Sequence, residues 1–127
     1  MKDSKVRNAM FIFYAIVGFT IGGALLFVPT QFYALNGQYF THDISFMNDT
    51  RAAGGFIFAA GGLIFSGLFF RRMQFTATVI ATTLPLAYGL ARLVAFALDG
   101  LPNTPLIVVA GIELTMGLMA MRVLMKG

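Results

Sequence analysis

The sequence has no cysteine and no tryptophan, a single histidine, and only 11% charged residues. The absence of cysteine excludes disulfides, thiolate metal sites and dithiol redox chemistry. A lone histidine, His42, argues against a haem or a multi-histidine metal centre. No nucleophile lies beside a base and no carboxylates are paired. We therefore expect no metal, no cofactor and no catalytic residue, and nothing in the sequence indicates an enzyme.

Apolar residues are abundant instead. They make up 58% of the 127 residues, and the mean hydropathy is +0.82. A soluble domain has roughly 45–50% apolar and 25% charged residues. A net charge of +4 would suggest nucleic acid in a soluble protein. Here the basic residues cluster at the ends of apolar runs, so we expect the anionic face of a lipid bilayer as the partner, and no nucleic acid.

Four apolar runs divide the chain, and they cover residues 9–28, 52–70, 75–98 and 105–121. Each is close to the ~20 residues that cross a hydrocarbon layer of ~30 Å. Segments in lipid must satisfy their own backbone hydrogen bonds, so the runs should be helices. The sequence predicts an all-α, integral membrane four-helix bundle in a single domain over residues 1–127. A cleavable signal peptide is the less favoured interpretation of the first run, which exceeds the roughly 7–15 apolar residues of such signals.

The basic residues predict the orientation. With four crossings, seven of the nine lysines and arginines fall on one side, and both termini should then be cytoplasmic. These residues are Lys2, Lys5, Arg7, Arg71, Arg72, Arg122 and Lys126. The opposite side holds His42, Asp43, Asp49 and Asp99.

The first outer loop, residues 29–50, is too long for a simple turn. Pro29 suits a first helical turn, and Asn36-Gly37 suits a helix end. We expect a short helix between them, lying on the outer membrane surface. Asp49 is expected to cap the second span.

Two opposite charges fall at one depth within the predicted spans. Glu113 is roughly 12 Å in from the outer end of the fourth span, and Arg92 roughly 10 Å in from the outer end of the third. Ionised groups inside a bilayer are costly and usually functional. Tyr88 and Arg51, at the mouth of the second span, complete a candidate cluster. The cluster is interpreted either as a structural lock that sets helix register or as a polar pocket in the outer leaflet.

Small residues repeat every three or four positions on all four runs, as membrane helices use for close approach. The predicted faces are Ala15, Gly18 and Gly22; Arg51, Gly55, Ala59, Gly62 and Ser66; Ala81, Pro85, Tyr88 or Gly89, and Arg92; and Ala110, Glu113, Gly117 and Ala120. The charged groups on these faces should point into the bundle.

Several short motifs mark the spans: Gly23-Ala-Leu-Leu-Phe-Val-Pro29, Arg51-Ala-Ala-Gly54-Gly55, Gly89-Leu-Ala-Arg92 with Asp99-Gly100-Leu-Pro102, and Glu113-Leu-x-x-Gly117. With them, nearly the whole chain resembles a bacterial family of small four-helix membrane proteins, the domain of unknown function 4345. It is similar in layout to the DoxX-like group. The family has no assigned reaction, while DoxX-like relatives are associated with quinone-linked oxidation or membrane accessory roles.

Two functions are expected for a multi-pass protein of the bacterial inner membrane. The first is a non-enzymatic accessory or scaffold subunit that packs against itself or a membrane-protein partner. The alternative is a carrier, or a quinone- or lipid-binding protein, that holds a small hydrophobic or anionic ligand with Arg51, Tyr88, Arg92 and Glu113. A dry, directly bonded Arg92–Glu113 pair favours the first, and a water-accessible, unpaired Glu113 favours the second.

Overall fold

The computed structural model describes residues 5–39 and 43–126, and their regular structure is helical throughout. The helices are α1 Lys5–Phe27, α2 Pro29–Leu35, α3 Ile44–Ser66, α4 Gln74–Asp99 and α5 Thr104–Lys126, with a 3-10 turn at Arg71–Met73 before α4. The all-α prediction is confirmed. Predictions that concern Lys2 and His42 lie outside the described residues.

Helices α1 and α3 form a closely packed antiparallel pair. A methyl group on Gly22 of α1 would lie 2.5 Å from the backbone nitrogen of Phe58 on α3. One on Gly54 of α3 would lie 2.7 Å from the Cβ atom of Leu25. Glycine therefore lets the two backbones touch, as membrane helices commonly do.

Helices α4 and α5 form the second antiparallel pair. A methyl group on Gly117 would lie 2.5 Å from the Cγ atom of Leu86, and one on Gly89 would lie 2.7 Å from the same atom of Leu114. Contacts between the two pairs are sparser and run mainly between α3 and α4. The molecule is thus two tight pairs with a looser interface between them.

The hydrophobic core lies toward one end of this interface. We call it the basic end, because α1 begins there, α5 ends there, and Arg71 and Arg72 join α3 to α4 there. The loop end is opposite and carries α2 and residues 100–103. One connected cluster of buried residues forms the core: Met10, Phe11, Tyr14, Ala15, Ile64, Ala77, Ala81 and Ala120. All eight lie in the half of their helix nearer the basic end.

Helix α3 begins eight residues before the predicted second span. The Asp43 carboxylate accepts a hydrogen bond of 3.2 Å from the backbone N–H of Phe46 and so caps the helix. Asp49 lies inside α3, so the prediction that it caps the span is wrong. Asp43 can cap a helix as well as Asp49 can and lies nearer the start of the segment, so the helix begins there.

Within the described residues, three segments are long and apolar enough to cross a membrane: α1, residues 71–99 and α5. An 18-residue window within each has a mean hydropathy of 2.2, 1.6 and 1.8, in that order. Helix α3 is not among them, because Asn48, Asp49 and Arg51 occupy its first third. The predicted short helix in the first loop is confirmed as α2, with Pro29 in its first turn and Gly37 at φ +76° beyond its end.

Candidate ligand-binding cavity

A partly open cavity of about 680 Å³ separates the two helix pairs. Along α4 it extends from Ala81 to Ala95, about four helical turns or about 21 Å. Its side walls are mainly apolar and include Val17, Ile21, Leu25, Ile57, Leu84 and Val109. The cavity arises because the glycine contacts hold the helices together within each pair, while no such contact joins α1–α3 to α4–α5 near the loop end.

Tyr14 borders the cavity where it meets the hydrophobic core. Its hydroxyl donates a hydrogen bond of 2.5 Å to the backbone carbonyl of Met116 on α5. Both residues line the cavity, and Tyr14 is buried. This bond joins the two helix pairs at the floor of the cavity.

Arg92 and Glu113 form a direct ion pair in the cavity wall. The Arg92 Nε–H donates to the Oε1 atom of Glu113. The relative exposure of the two side chains is 30% and 18%, so the pair is bonded but not dry. The two charged side chains are therefore directly paired, which is the arrangement that the structural-lock interpretation expected.

The close contact of α4 with α5 positions this pair. Arg92 follows Gly89 by three residues, and Glu113 precedes Gly117 by four. Both charged side chains therefore lie within about one turn of the places where the helices approach most closely. Without the two glycines the helix axes would be further apart, and the short Glu113 side chain would not reach Arg92.

Tyr88 is the third predicted residue that the cavity contains. It lies one turn before Arg92 on α4, and its side chain is half-buried in the wall. A phenol there offers a hydroxyl that can donate or accept a hydrogen bond beside the ion pair.

Arg51 does not join these three residues. It is exposed, donates to the backbone carbonyl of Leu26 at the end of α1, and is not among the residues that line the cavity. The buried face of α3 is shifted by one residue along the sequence from the predicted face. It consists of Met47, Thr50, Gly54, Ile57, Ala60, Gly61 and Ile64. The sequence has glycine pairs at 54–55 and 61–62, and only the packing on α1 selects the first glycine of each.

The roof of the cavity was not anticipated from the sequence. Phe32, Tyr33, Asn36 and Gln38 of α2 and its C-terminal end line the cavity. The Asn103 side-chain amide donates a hydrogen bond of 2.8 Å to the Asn36 backbone carbonyl. These residues are 67 positions apart, and no sequence pattern connects them.

Arg7 is a charged residue that the structure buries. It was predicted among the basic residues of the cytoplasmic side, and it is 1% exposed. Its guanidinium lies 5.8 Å from the centre of the Phe11 ring and donates a hydrogen bond of 3.2 Å to the side chain of Asn8. Arg7 is far from the cavity and belongs to the structure of the basic end.

The polar groups of the cavity suit binding rather than group transfer. Within residues 5–39 and 43–126, no three histidine or acidic side chains are placed to hold a metal ion. The described lining contains one carboxylate, one guanidinium, tyrosine hydroxyls and amides in an otherwise apolar wall. Such a site can hold an apolar molecule and orient its polar end.

Comparison with known proteins matches residues 6–124 to the family model of a domain of unknown function, DUF4345. No curated protein and no solved structure matches the chain. The family predicted from the sequence motifs is therefore confirmed.

Proposed function

We propose that this chain, which belongs to the DUF4345 family, binds a small apolar molecule with a polar head group between its two helix pairs. The observation that carries the proposal is the cavity of about 680 Å³ with an ion pair in its wall. Ligand pockets have volumes of roughly 300–1,000 Å³, apolar walls and a few convergent polar groups. The ligand would be a quinone or a lipid, with its tail toward Tyr14 and its head beside Tyr88, Arg92 and Glu113.

The proposed setting is a four-helix membrane bundle in which α3 is the fourth span. Large apolar side chains are exposed on the outer faces of all four long helices, for example Phe13, Phe56, Val94 and Leu118. In water such a surface would be a liability, whereas in lipid it is expected. The polar first third of α3, whose Asn48, Asp49 and Arg51 side chains are exposed, would lie in the outer interfacial region of the bilayer.

The basic end would face the cytoplasm of a bacterial cell, with both termini inside. Arg71, Arg72, Arg122 and Lys126 lie at that end, and such an imbalance favours retention on the cytoplasmic side. The cavity would then open in the outer leaflet of the inner membrane. Helix α2 would lie over its mouth at the outer membrane surface, with its exposed Leu35 available to lipid.

An accessory or scaffold subunit is the second candidate function. The direct bond between Arg92 and Glu113 favours it, because a bonded pair can serve to fix helix register. A scaffold subunit does not need the cavity that lies beside the pair, so we rank ligand binding first. The DoxX-like layout stays a prediction and is compatible with both.

Native mass spectrometry of the protein extracted gently from its own membrane tests the proposal. Val109→Phe and Val108→Phe make a matched pair, since Val109 lines the cavity whereas the adjacent Val108 is 54% exposed and does not. The wild type and Val108→Phe should carry a small-molecule adduct that Val109→Phe lacks. An adduct retained by Val109→Phe would be surface lipid, and a wild type without any adduct would overturn ligand binding. Capture of another protein by a ligand-free wild type would establish the accessory role.

A further inference from the structure

We infer that the head group of the ligand is uncharged and presents carbonyl or hydroxyl oxygens. The inference rests on the proposed function, because it concerns the ligand of the same cavity. It is more specific than the prediction from sequence, which allowed an anionic ligand.

The described lining of the cavity is electrically balanced. Arg92 and Glu113 are its two charged residues, and they are bonded to one another. The other polar side chains in the lining are amides or tyrosine hydroxyls: Tyr14, Tyr33, Asn36, Gln38 and Tyr88. The described lining therefore has no surplus charge that a ligand would have to neutralise.

Arg51 would have changed this balance had it joined the cluster. A second guanidinium would give the site a surplus positive charge and favour a carboxylate or phosphate. Instead Arg51 is exposed at the end of α1 and bonds to the Leu26 carbonyl. Of the hydrophobic and the anionic ligand that the sequence allowed, the anionic one therefore has no surplus cation in the described lining.

A charged head group would disturb the balance in one of two ways. An anion that displaced Glu113 from Arg92 would leave the Glu113 carboxylate without its partner in a largely apolar wall. An anion that bound beside the intact pair would itself be uncompensated. Either arrangement places a net charge where solvation is poor, which is costly. The same reasoning applies to a cation, which would compete with Arg92.

A neutral head group can bind without breaking the pair. The bond to Glu113 uses the Nε–H of Arg92, one of the five N–H donors of a guanidinium. The terminal amino groups can therefore donate to a carbonyl or hydroxyl oxygen of the ligand. A hydroxyl head could in turn donate to the Oε2 atom of Glu113. The Tyr88 hydroxyl could donate a hydrogen bond to the head group or accept one from it.

Three probes with the same 12-carbon tail test the inference on the purified full chain by calorimetric titration. They are 1-dodecanol, dodecane-1-sulfonate and dodecyltrimethylammonium, and the two ions are permanently charged, so protonation cannot neutralise them. For the wild type, the alcohol should bind at least about tenfold more tightly than either ion. Glu113→Gln leaves the guanidinium in surplus, so sulfonate binding should tighten by at least about tenfold. Arg92→Gln should produce the same gain for the ammonium.

Arg51→Gln is the matched control for Arg92→Gln, and it should leave the wild-type order unchanged. If either ion binds the wild type as tightly as the alcohol, the inference fails while the proposed binding function stands. If Glu113→Gln keeps its helical circular dichroism but gains no sulfonate affinity, the ion pair does not set the selectivity and the inference also fails. If the variants do not fold, the order of the wild-type affinities for the three probes decides whether the inference holds. If no probe binds, the proposed function itself fails.

Discussion

The hydroxyl of Tyr14 on α1 and the backbone carbonyl of Met116 on α5 are joined by a hydrogen bond of 2.5 Å. The bond crosses the interface between the two helix pairs at the floor of the cavity. Between this bond and the basic end the core is closely packed. Between the bond and the loop end the two helix pairs separate around the cavity. Tyr14 therefore lies at the boundary between the part of the interface that stabilises the fold and the part proposed to bind a ligand.

Tyr14→Phe should destabilise the protein by about 0.5–1.5 kcal/mol, because it removes this hydrogen bond and keeps the ring. The free energy of unfolding in mixed micelles measures the loss. Tyr39→Phe is the control, since Tyr39 is 83% exposed and the same hydroxyl is removed. Equal stabilities of the two variants would show that the bond to Met116 contributes nothing.

Gly22→Ala should be among the most damaging single-methyl additions in the chain. The new carbon would lie 2.5 Å from the backbone nitrogen of Phe58, and a backbone cannot move aside as a side chain can. We expect a loss of about 1–3 kcal/mol in the free energy of unfolding. Gly111→Ala is the control, because nothing lies within 4 Å of its added methyl, and it should be neutral or slightly stabilising. Tolerance of Gly22→Ala would mean that α1 and α3 are further apart in lipid.

The Arg92–Glu113 pair should show energetic coupling in a double-mutant cycle. Arg92→Met and Glu113→Leu should each destabilise the protein, since each leaves one charge unpaired, and the double variant should lose less than the two together. We expect a coupling free energy of about 1–3 kcal/mol. The pair is partly accessible, so the coupling should stay below that of a dry pair. Additive losses would indicate that the two charges are solvated independently.

Asn103→Asp should loosen α2 without affecting the start of α5. Aspartate keeps the oxygen that accepts from the Leu106 backbone N–H at 3.3 Å, but it replaces the amide donor to the Asn36 carbonyl with a second oxygen. Hydrogen–deuterium exchange should become faster across Pro29–Leu35 and remain unchanged in the first turns of α5. Asn103→Ala removes both bonds, and exchange should then rise in both places. Unchanged exchange in α2 after either substitution would show that other contacts hold it in place.

The sequence could place Arg92 and Glu113 at comparable distances from the ends of their helices, because helix geometry makes such a distance a simple count. Each helical residue advances 1.5 Å, so the distances of Glu113 and Arg92 from their span ends could be compared directly. The small residues around them also predicted their inward direction. Ala110, Gly117 and Ala120 are buried beside Glu113 on α5, and Gly89 is buried beside Arg92 on α4.

The same method placed Arg51 in the wrong surroundings, because α3 offers two neighbouring glycine faces. Gly54 and Gly61 share one face, and Gly55 and Gly62 share the next, about 100° around the helix. Either set satisfies the spacing rule for close packing. The choice depends on α1, because Gly18 and Gly22 of α1 pack against Gly61 and Gly54.

The all-helical structure, the family and the positions of the two charges along their helices were determined by the sequence alone, since each depends on composition, motifs or position along one helix. Tertiary structure decided how the helices pair, which face of α3 is buried, and where α2 lies. It also decided that a cavity exists, because a void depends on the difference between tight contacts within each pair and looser contacts between them. That difference arises from contacts between helices that are distant in the sequence, so no local sequence pattern can predict it.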